Sequence, residues 1–269
     1  MQKNDIEKSI IKKFRKEIWS KFVKAIKDYE LIKENDKIAV CMSGGKDSAL
    51  LALCMKELQR HGLFKFDLEY IVMDPGYDKK HLDLLISNFE KMNIEIHLFK
   101  TDIFEIANTH SSEYPCYLCA RMRRGHLYNK AKELGCNKIA LGHHFDDVIE
   151  TIMLNILYAG NYKTMMPKIK STNFEGMELI RPLYYIKEEN IIKWQKYNEL
   201  DFLDCACSVT SKKVDSKRLE IKNLIKDLKK TNKDVGMSIF RSSENVNIDA
   251  LIGWKKDNKE YSFLDNYDE

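Results

Sequence analysis

The stretch Lys37-Ile38-Ala39-Val40-Cys41-Met42-Ser43-Gly44-Gly45-Lys46-Asp47-Ser48 decides the fold. Its first six residues form a short apolar run that reads as a buried strand, and Leu50, Leu51, Leu53, Met55 and Leu58 continue as a helix. Gly44 and Gly45 permit backbone angles that let successive N–H groups converge. The loop runs into a helix N-terminus, which favours anions. Lys46 adds a cation, and Ser43 and Ser48 add hydroxyls. Together these groups suit a pyrophosphate. The spacing is not that of a Walker loop. A bare Gly-Gly after a strand is ordinarily a turn, but the whole six-residue string is far more specific. Asp47 is no direct phosphate ligand, so its expected part is to hold Mg²⁺ or orient the loop.

Outward from this stretch, strands are expected at 67–73, 94–99, 138–141 and 177–180. Helices are expected near 79–92 and 119–134, and through Val148, Ile149, Ile152, Met153, Ile156 and Leu157. Alternating strands and helices predict an α/β fold, a parallel sheet with right-handed crossovers, which binds ligands at the carboxyl ends of its strands. The loops 43–48, 74–76 and 142–147 all leave such ends. Residues 5–32 place Ile10, Phe14, Ile18, Phe22 and Ile26 at helical spacing among lysines, an amphipathic basic helix or pair of helices. Beyond about 187 the chain reads as all helical and basic. The expected division is an N-terminal helical segment at 1–34, the strand–helix domain at 35–186 and a C-terminal region at 187–269.

With 269 residues, 44% of them hydrophobic, the chain can bury one large core. No run of about 18 apolar residues offers a membrane span. The polar start MQKNDIEKSI is not a secretory signal, so the expected location is the cytosol. A net charge of +4 permits a polyanionic partner without demanding one. Basic clusters lie at Lys12, Lys13, Arg15 and Lys16, at Arg121, Arg123 and Arg124, and at Lys212, Lys213, Lys217 and Arg218. Any one of them is ordinarily a solvated helix face. Three beside candidate chemistry point to nucleic acid.

Seven cysteines in such a chain argue against a disulfide framework. Cys41, Cys54 and Cys136 fall in apolar surroundings and read as small buried hydrophobes. Cys116 and Cys119 form a Cys-x-x-Cys pair, which can be a zinc half-site, a redox pair, an iron–sulfur half-site or inert. Cys205 and Cys207 are the remaining companions, so a four-thiolate site is arithmetically available, as is a three-thiolate site with one open position. Asp146 and Asp147 open a helix, where carboxylates serve as caps or, facing a phosphate loop, hold Mg²⁺. His143 and His144 are free to pack, bind a nucleotide or shuttle a proton.

The Ser43-Gly44-Gly45-Lys46-Asp47-Ser48 string resembles the signature of the PP-loop ATP pyrophosphatases, with their Rossmann-like fold. Members cleave ATP between its α- and β-phosphates and adenylate a carbonyl or carboxylate oxygen. The further string Cys116-x-x-Cys119-x-Arg121-x-Arg123-Arg124-Gly125, then Leu134-Gly135, Lys138 through His144, Asp146-Asp147, Met166-Pro167-Lys168 and Arg181-Pro182-Leu183 is similar to the tRNA 2-thiocytidine synthetase (TtcA) family over most of residues 10–210. The resemblance implies ATP-dependent thiolation of a cytidine in the tRNA anticodon loop, with an oxygen-labile [4Fe-4S] cluster on three cysteines. Carried over, Ser43, Gly44, Gly45, Lys46, Asp47, Ser48, Asp74, Gly142 and His143 bind ATP, and Lys46, Asp47 and Asp147 are catalytic. Asp146 holds Mg²⁺, and Arg121, Arg123 and Arg124 grip RNA. Cys116 and Cys119 are two cluster ligands. The family carries Cys-x-x-Cys where this chain has Cys205-Ala206-Cys207; one gap sets Cys207 as the third ligand, and Cys205 is the alternative. Implied partners are tRNA and a sulfur donor, a cysteine desulfurase or sulfide, with a homodimer compatible and no membrane. Two competing readings are a PP-loop ligase that uses an amine instead of sulfur and a tRNA-binding or sulfur-relay module with a vestigial nucleotide site.

Overall fold

The computed structural model describes residues 3–62, 64–101, 115–202 and 214–267. Strand β1 (Lys37–Met42) lies inside a six-stranded sheet. It pairs in parallel with β2 (Asp67–Asp74) on one side and β4 (Lys138–Ala140) on the other. Strand β3 (His97–Lys100) joins β2, and β6 (Glu178–Ile180) joins β4, both in parallel. A short strand, β5 (Lys168–Lys170), closes the β6 edge in antiparallel sense. The sheet is therefore mostly parallel, with an antiparallel edge strand that no run of apolar residues announces, since Lys168 and Lys170 flank Ile169.

Strand β3 starts later than the expected 94–99. Helix α4 (Lys79–Lys91) ends through Asn93, whose φ of 52° is left-handed, and the Ile94 N–H donates to the Phe89 carbonyl at 3.0 Å. Residues 92–94 are thus used up in the helix C-cap. Ile94 packs into the core from there.

Helix α3 (Lys46–His61) is the central pillar. Leu50, Leu51, Leu53 and Met55 are all fully buried, because the sheet covers one side and the N-terminal helices the other. Those helices are α1 (Lys3–Ile11) and α2 (Ser20–Asp28), joined by a π-helical turn at Arg15–Trp19. Ile10, Ile18 and Phe22 share one core with α3 and with Trp194 of helix α7 (Glu188–Tyr197), while Lys12, Lys13, Arg15 and Lys16 stay exposed. Buried Lys138 also ties this end to the sheet, pairing with Asp36 at 2.8 Å and donating to the Leu31 carbonyl at 2.9 Å. On the other face, helix α5 (Pro115–Glu133) packs Tyr128 and Ala131 under Cys41, Cys136 and Ile139. Cys41, Cys54 and Cys136 are buried free thiols. Burial pushes all three thiols up, Cys136 to about 11, so they stay protonated and inert.

A third cluster joins helix α6 (Phe145–Ala159), through Phe145, Val148 and Ile149, to Ile221 and Ile225 of helix α8 (Val214–Thr231) and Phe240 of helix α9 (Val235–Ser242). The expectation of an all-helical C-terminal region is not met. Strands β7 (Gly253–Lys256) and β8 (Lys259–Ser262) form a hairpin around Asp257-Asn258, both at positive φ, the two-residue turn whose twist matches paired strands. Trp254 stacks on Tyr261 across it, with ring centroids 5.5 Å apart. Among the described residues no helix is long and apolar enough to cross a membrane.

Leu51→Ala should cost about 2–5 kcal/mol, by lost transfer energy and an unfilled cavity. Leu264, 63% exposed, should tolerate the same change within about 0.5 kcal/mol. Urea unfolding of the two variants checks this; equal losses would mean that α3 is not the pillar described.

Candidate active site

Strand β1 releases the chain at Met42 into a loop pinned from within. The Ser43 N–H donates to Ser48 Oγ at 3.2 Å, and the Ser48 hydroxyl donates to the Gly45 carbonyl at 2.9 Å. Gly44 sits at φ 80° and Gly45 caps α3 in an extended conformation with no side-chain bond to the helix. The first N–H groups of α3 have no intrahelical partner. Their combined positive end therefore faces the mouth of the loop.

The second loop, between β4 and α6, lies directly on the first. A Cβ at Gly142 would meet the Asp47 carbonyl carbon and the Ser48 nitrogen, each at 3.1 Å. A side chain here would have to push the neighbouring backbone back by a few tenths of an ångström, and the glycine lets the loop carry His143, His144 and Asp147 close to the first. His144 caps α6, and its N–H donates to Asp147 Oδ2 at 2.9 Å. Its ring lies between two carboxylates, with Nε2 3.9 Å from Asp47 Oδ1 and Nδ1 3.5 Å from Asp147 Oδ2.

Asp47 Oδ1, His143 Nδ1 and His144 Nδ1 are buried here without a hydrogen-bond partner among the described residues. Each such atom costs about 1–3 kcal/mol. Three together mark a site shaped for a polar ligand rather than for its own stability. Burial raises the Asp47 carboxyl above its ordinary range, opposed by His144 and Lys46. At Asp147 burial also pulls upward, but His144, Arg218 and the His144 N–H outweigh it and hold the group low. Burial brings His143 down to about 4, so it is neutral at physiological pH.

Cations close the other side. Lys46 Nζ lies 3.2 Å from Asp47 Oδ2 and 3.3 Å from Glu188 Oε1 on the first turn of α7. Helix α8 brings Arg218, with Nη2 2.7 Å from Asp147 Oδ1 and Nε 2.9 Å from Glu150 Oε2. Lys222, one turn on, meets Glu188 Oε2 at 2.5 Å.

Two cavities result, of about 420 and 400 Å³, divided by Asp47, Asp147 and Arg218. The first has an apolar wall of Met42, Met73, Leu127 and Leu141, with Ser43, Ser48, Tyr77, Arg123 and His143 supplying polar groups. The second is mostly charged, lined by Glu150, Glu188 and Lys222 besides the dividing residues, with His144 and Leu219. A further cavity of about 570 Å³, lined by Phe99, His126, Lys130 and neighbours, touches none of these residues.

The structure thus brings Ser43, Ser48, Lys46, Asp47, Gly142, His143 and Asp147 together. Two other candidates sit differently. Asp74 turns its carboxylate to the N–H groups of Gly76 and Tyr77, at 2.9 and 2.7 Å, and shapes the β2–α4 loop. Asp146 accepts the Glu188 N–H at 2.7 Å and lies 3.4 Å from Lys229, so it caps α7 and docks α8. Of the arginines, Arg123 lines the first cavity and Arg124 is exposed. Positions 116, 119, 123 and 127 follow helical spacing on α5, so the cysteine positions share a stripe with the cavity-lining Arg123 and Leu127. Cys205 and Cys207 lie outside the described residues, and among those described no group of three His, Cys, Asp or Glu could hold a metal. Glu150, Glu188 and Lys222 had no motif to flag them; their ion pairs reach far along the chain.

A family model described as a PP-loop domain matches residues 14–225. The tRNA-cytidine(32) 2-sulfurtransferase of Geobacter sulfurreducens is 38% identical over 226 residues, 83% of this chain and 87% of the relative. That of Alcanivorax borkumensis is 34% identical over 241 residues, 88% and 83% of the two chains. Among solved structures, the U34-tRNA thiolase NcsA from Methanococcus maripaludis, with its [4Fe-4S] cluster, superposes with a TM-score of 0.68 and 25% identity, covering 84% of this chain and 76% of that one.

Gly142→Ala should weaken nucleotide binding at least tenfold by pushing the two loops apart, at an unfolding cost of about 1–3 kcal/mol; calorimetric titration with ATP would read it, and unchanged affinity would refute the close-contact account. His143 binds its proton less readily folded than unfolded, so between its ordinary pKa and about 4 the unfolded chain takes up more protons. Stability is then lost as pH falls through that window. His143→Gln should flatten the fall, which denaturant melts from pH 7 to 4 would follow.

Proposed function

The chain belongs to the PP-loop family of tRNA-cytidine(32) 2-sulfurtransferases, and from that premise we propose that it thiolates tRNA, using ATP to adenylate the C2 oxygen of an anticodon-loop cytidine and replacing that oxygen with sulfur. The observation that carries this reading is the pinned 43–48 loop facing buried, unpartnered Asp47, His143 and His144 atoms, beside the α5 stripe that holds Cys116 and Cys119.

The residues fit ATP. The α3 N-terminus and Lys46 would take the β- and γ-phosphates, and the apolar wall of the first cavity would take a base. A cytosine C2 oxygen is a poor leaving group, and transfer of AMP makes it a good one. Converging N–H groups and Lys46 stabilise the negative charge that grows on pyrophosphate as it departs. Mg²⁺ commonly binds through one or two carboxylates plus substrate phosphates. Asp47, with its unpartnered Oδ1, suits that role better than Asp146, which is committed to capping α7. Neutral His143 can donate or accept one hydrogen bond without adding charge.

Cys116 and Cys119 are spaced on α5 to serve one metal centre, with Cys207 the proposed third ligand and Cys205 the alternative. A [4Fe-4S] cluster bound there with one open iron would supply the sulfur nucleophile. Arg123 reaches the reaction cavity, while Arg124 and Arg121 belong to the same helix and are proposed to hold RNA phosphates. The target base must leave its stack to enter. Sulfide or a cysteine desulfurase is the proposed sulfur source, and a homodimer is compatible.

The test is anaerobic incubation of the protein with unmodified tRNA, ATP and sulfide, followed by nucleoside mass spectrometry. Lys46→Ala should cut 2-thiocytidine at least a hundredfold. Cys116→Ser should abolish thiolation yet leave tRNA-dependent AMP formation. Full thiolation in Cys116→Ser would sink the cluster role, and an amine-substituted product would favour the ligase reading.

A further inference from the structure

Glu188 stands in an unusual place for a carboxylate. It sits on the first turn of α7 and bridges Lys46, at 3.3 Å, to Lys222, at 2.5 Å. Lys46 belongs to the anion-binding loop, whereas Lys222 comes from α8, far along the chain. The Glu188 side chain is only 20% exposed, and its backbone is held by Asp146 Oδ2 on Glu188 N–H at 2.7 Å. An anion fixed between two ammonium groups at the mouth of a phosphate loop has the surroundings that a bound phosphate would have. The charged cavity around it, about 400 Å³, shares Asp47, Asp147 and Arg218 with the first cavity but none of its apolar wall.

We infer that Lys46 and Lys222 form a clamp for the pyrophosphate end of ATP, and that Glu188 is an internal anion occupying the clamp until the nucleotide arrives. The inference rests on the ATP reading above and assigns the leaving group to the charged cavity. Glu188 is then a positioning residue. It holds the Lys46 ammonium beside Asp47, and it competes with the phosphates for both lysines. Lys222 becomes a polyphosphate ligand supplied by α8. The helix does not depend on this one contact for its docking. Arg218 still holds Asp147 and Glu150, and Ile221 and Ile225 remain buried against α6.

The two partners of one ion pair should therefore move affinity in opposite directions. Calorimetric titration of the full-length holoprotein with inorganic pyrophosphate in the presence of Mg²⁺ tests this, with adenosine as the control. Glu188→Gln should tighten pyrophosphate binding about fivefold, and Lys222→Met should weaken it about fivefold. Adenosine, which lacks phosphate, should bind equally to both variants and to the wild type. Fold damage would weaken binding in both, so the tightening in Glu188→Gln is the decisive sign. If both variants lose affinity, or neither moves while Lys46→Ala still abolishes pyrophosphate binding, the pair merely docks α8 and the inference fails alone. If the wild type binds neither pyrophosphate nor ATP, the nucleotide reading fails and takes this inference with it.

Discussion

The structure depends on a contact with no side chain in it. The backbone at Gly142 lies against the first turn of α3, close enough that a methyl group would meet Asp47 and Ser48 at 3.1 Å. This contact fixes how near the ends of β1 and β4 can come. Parallel neighbours in a sheet place such ends side by side, and the absence of a Cβ lets the loops beyond them touch. Everything that distinguishes the cleft follows from it. His144 is wedged between Asp47 and Asp147, and Asp47 is buried enough for its carboxyl to rise while Asp147 stays low. Two carboxylates in one cleft are thus given different proton affinities by their neighbours.

The cations that balance these acids come from outside the sheet. Helix α8 presents Arg218, Lys222 and Lys229 to carboxylates of α6 and α7, while Ile221 and Ile225 fill the space between. Charge and packing on one helix therefore serve the same dock. The N-terminal helices act differently. They contribute Ile10, Ile18 and Phe22 to the core beside α3 and leave Lys12, Lys13 and Lys16 exposed.

How much of this was legible follows from the range of each interaction. The 43–48 loop could be read because its chemistry is contiguous: two glycines, a lysine and two hydroxyls in six residues after an apolar strand. The alternation of strands and helices is likewise local, and the sheet is built on it. The start of β3 differs from the apolar run because Asn93 takes a left-handed conformation and commits Ile94 to a helix cap, which hydrophobicity does not register. The β7–β8 hairpin was missed because Asp257-Asn258 is a weaker turn signal than a pair with glycine, and the flanking lysines read as helix surface. Glu188 and Lys222 were invisible for a different reason. Their roles exist only as ion pairs with residues distant in the chain, and no spacing encodes such a pair. Cys116 and Cys119 are conspicuous by spacing alone, and the structure adds that their positions lie on the helix that carries the cavity-lining Arg123 and Leu127.

The order in which the chain is made gives the α8 dock another meaning. Residues 43–48 leave the ribosome early and can form their loop as soon as β1, α3 and the neighbouring strands pair. Arg218 and Lys222 come some 170 residues later. Without the α8 cations, the carboxylates of Asp147, Glu150 and Glu188 would leave the cleft with a local excess of negative charge, which disfavours a polyphosphate. The cations that make this cleft hospitable to a polyphosphate are thus separated in sequence from the loop they serve.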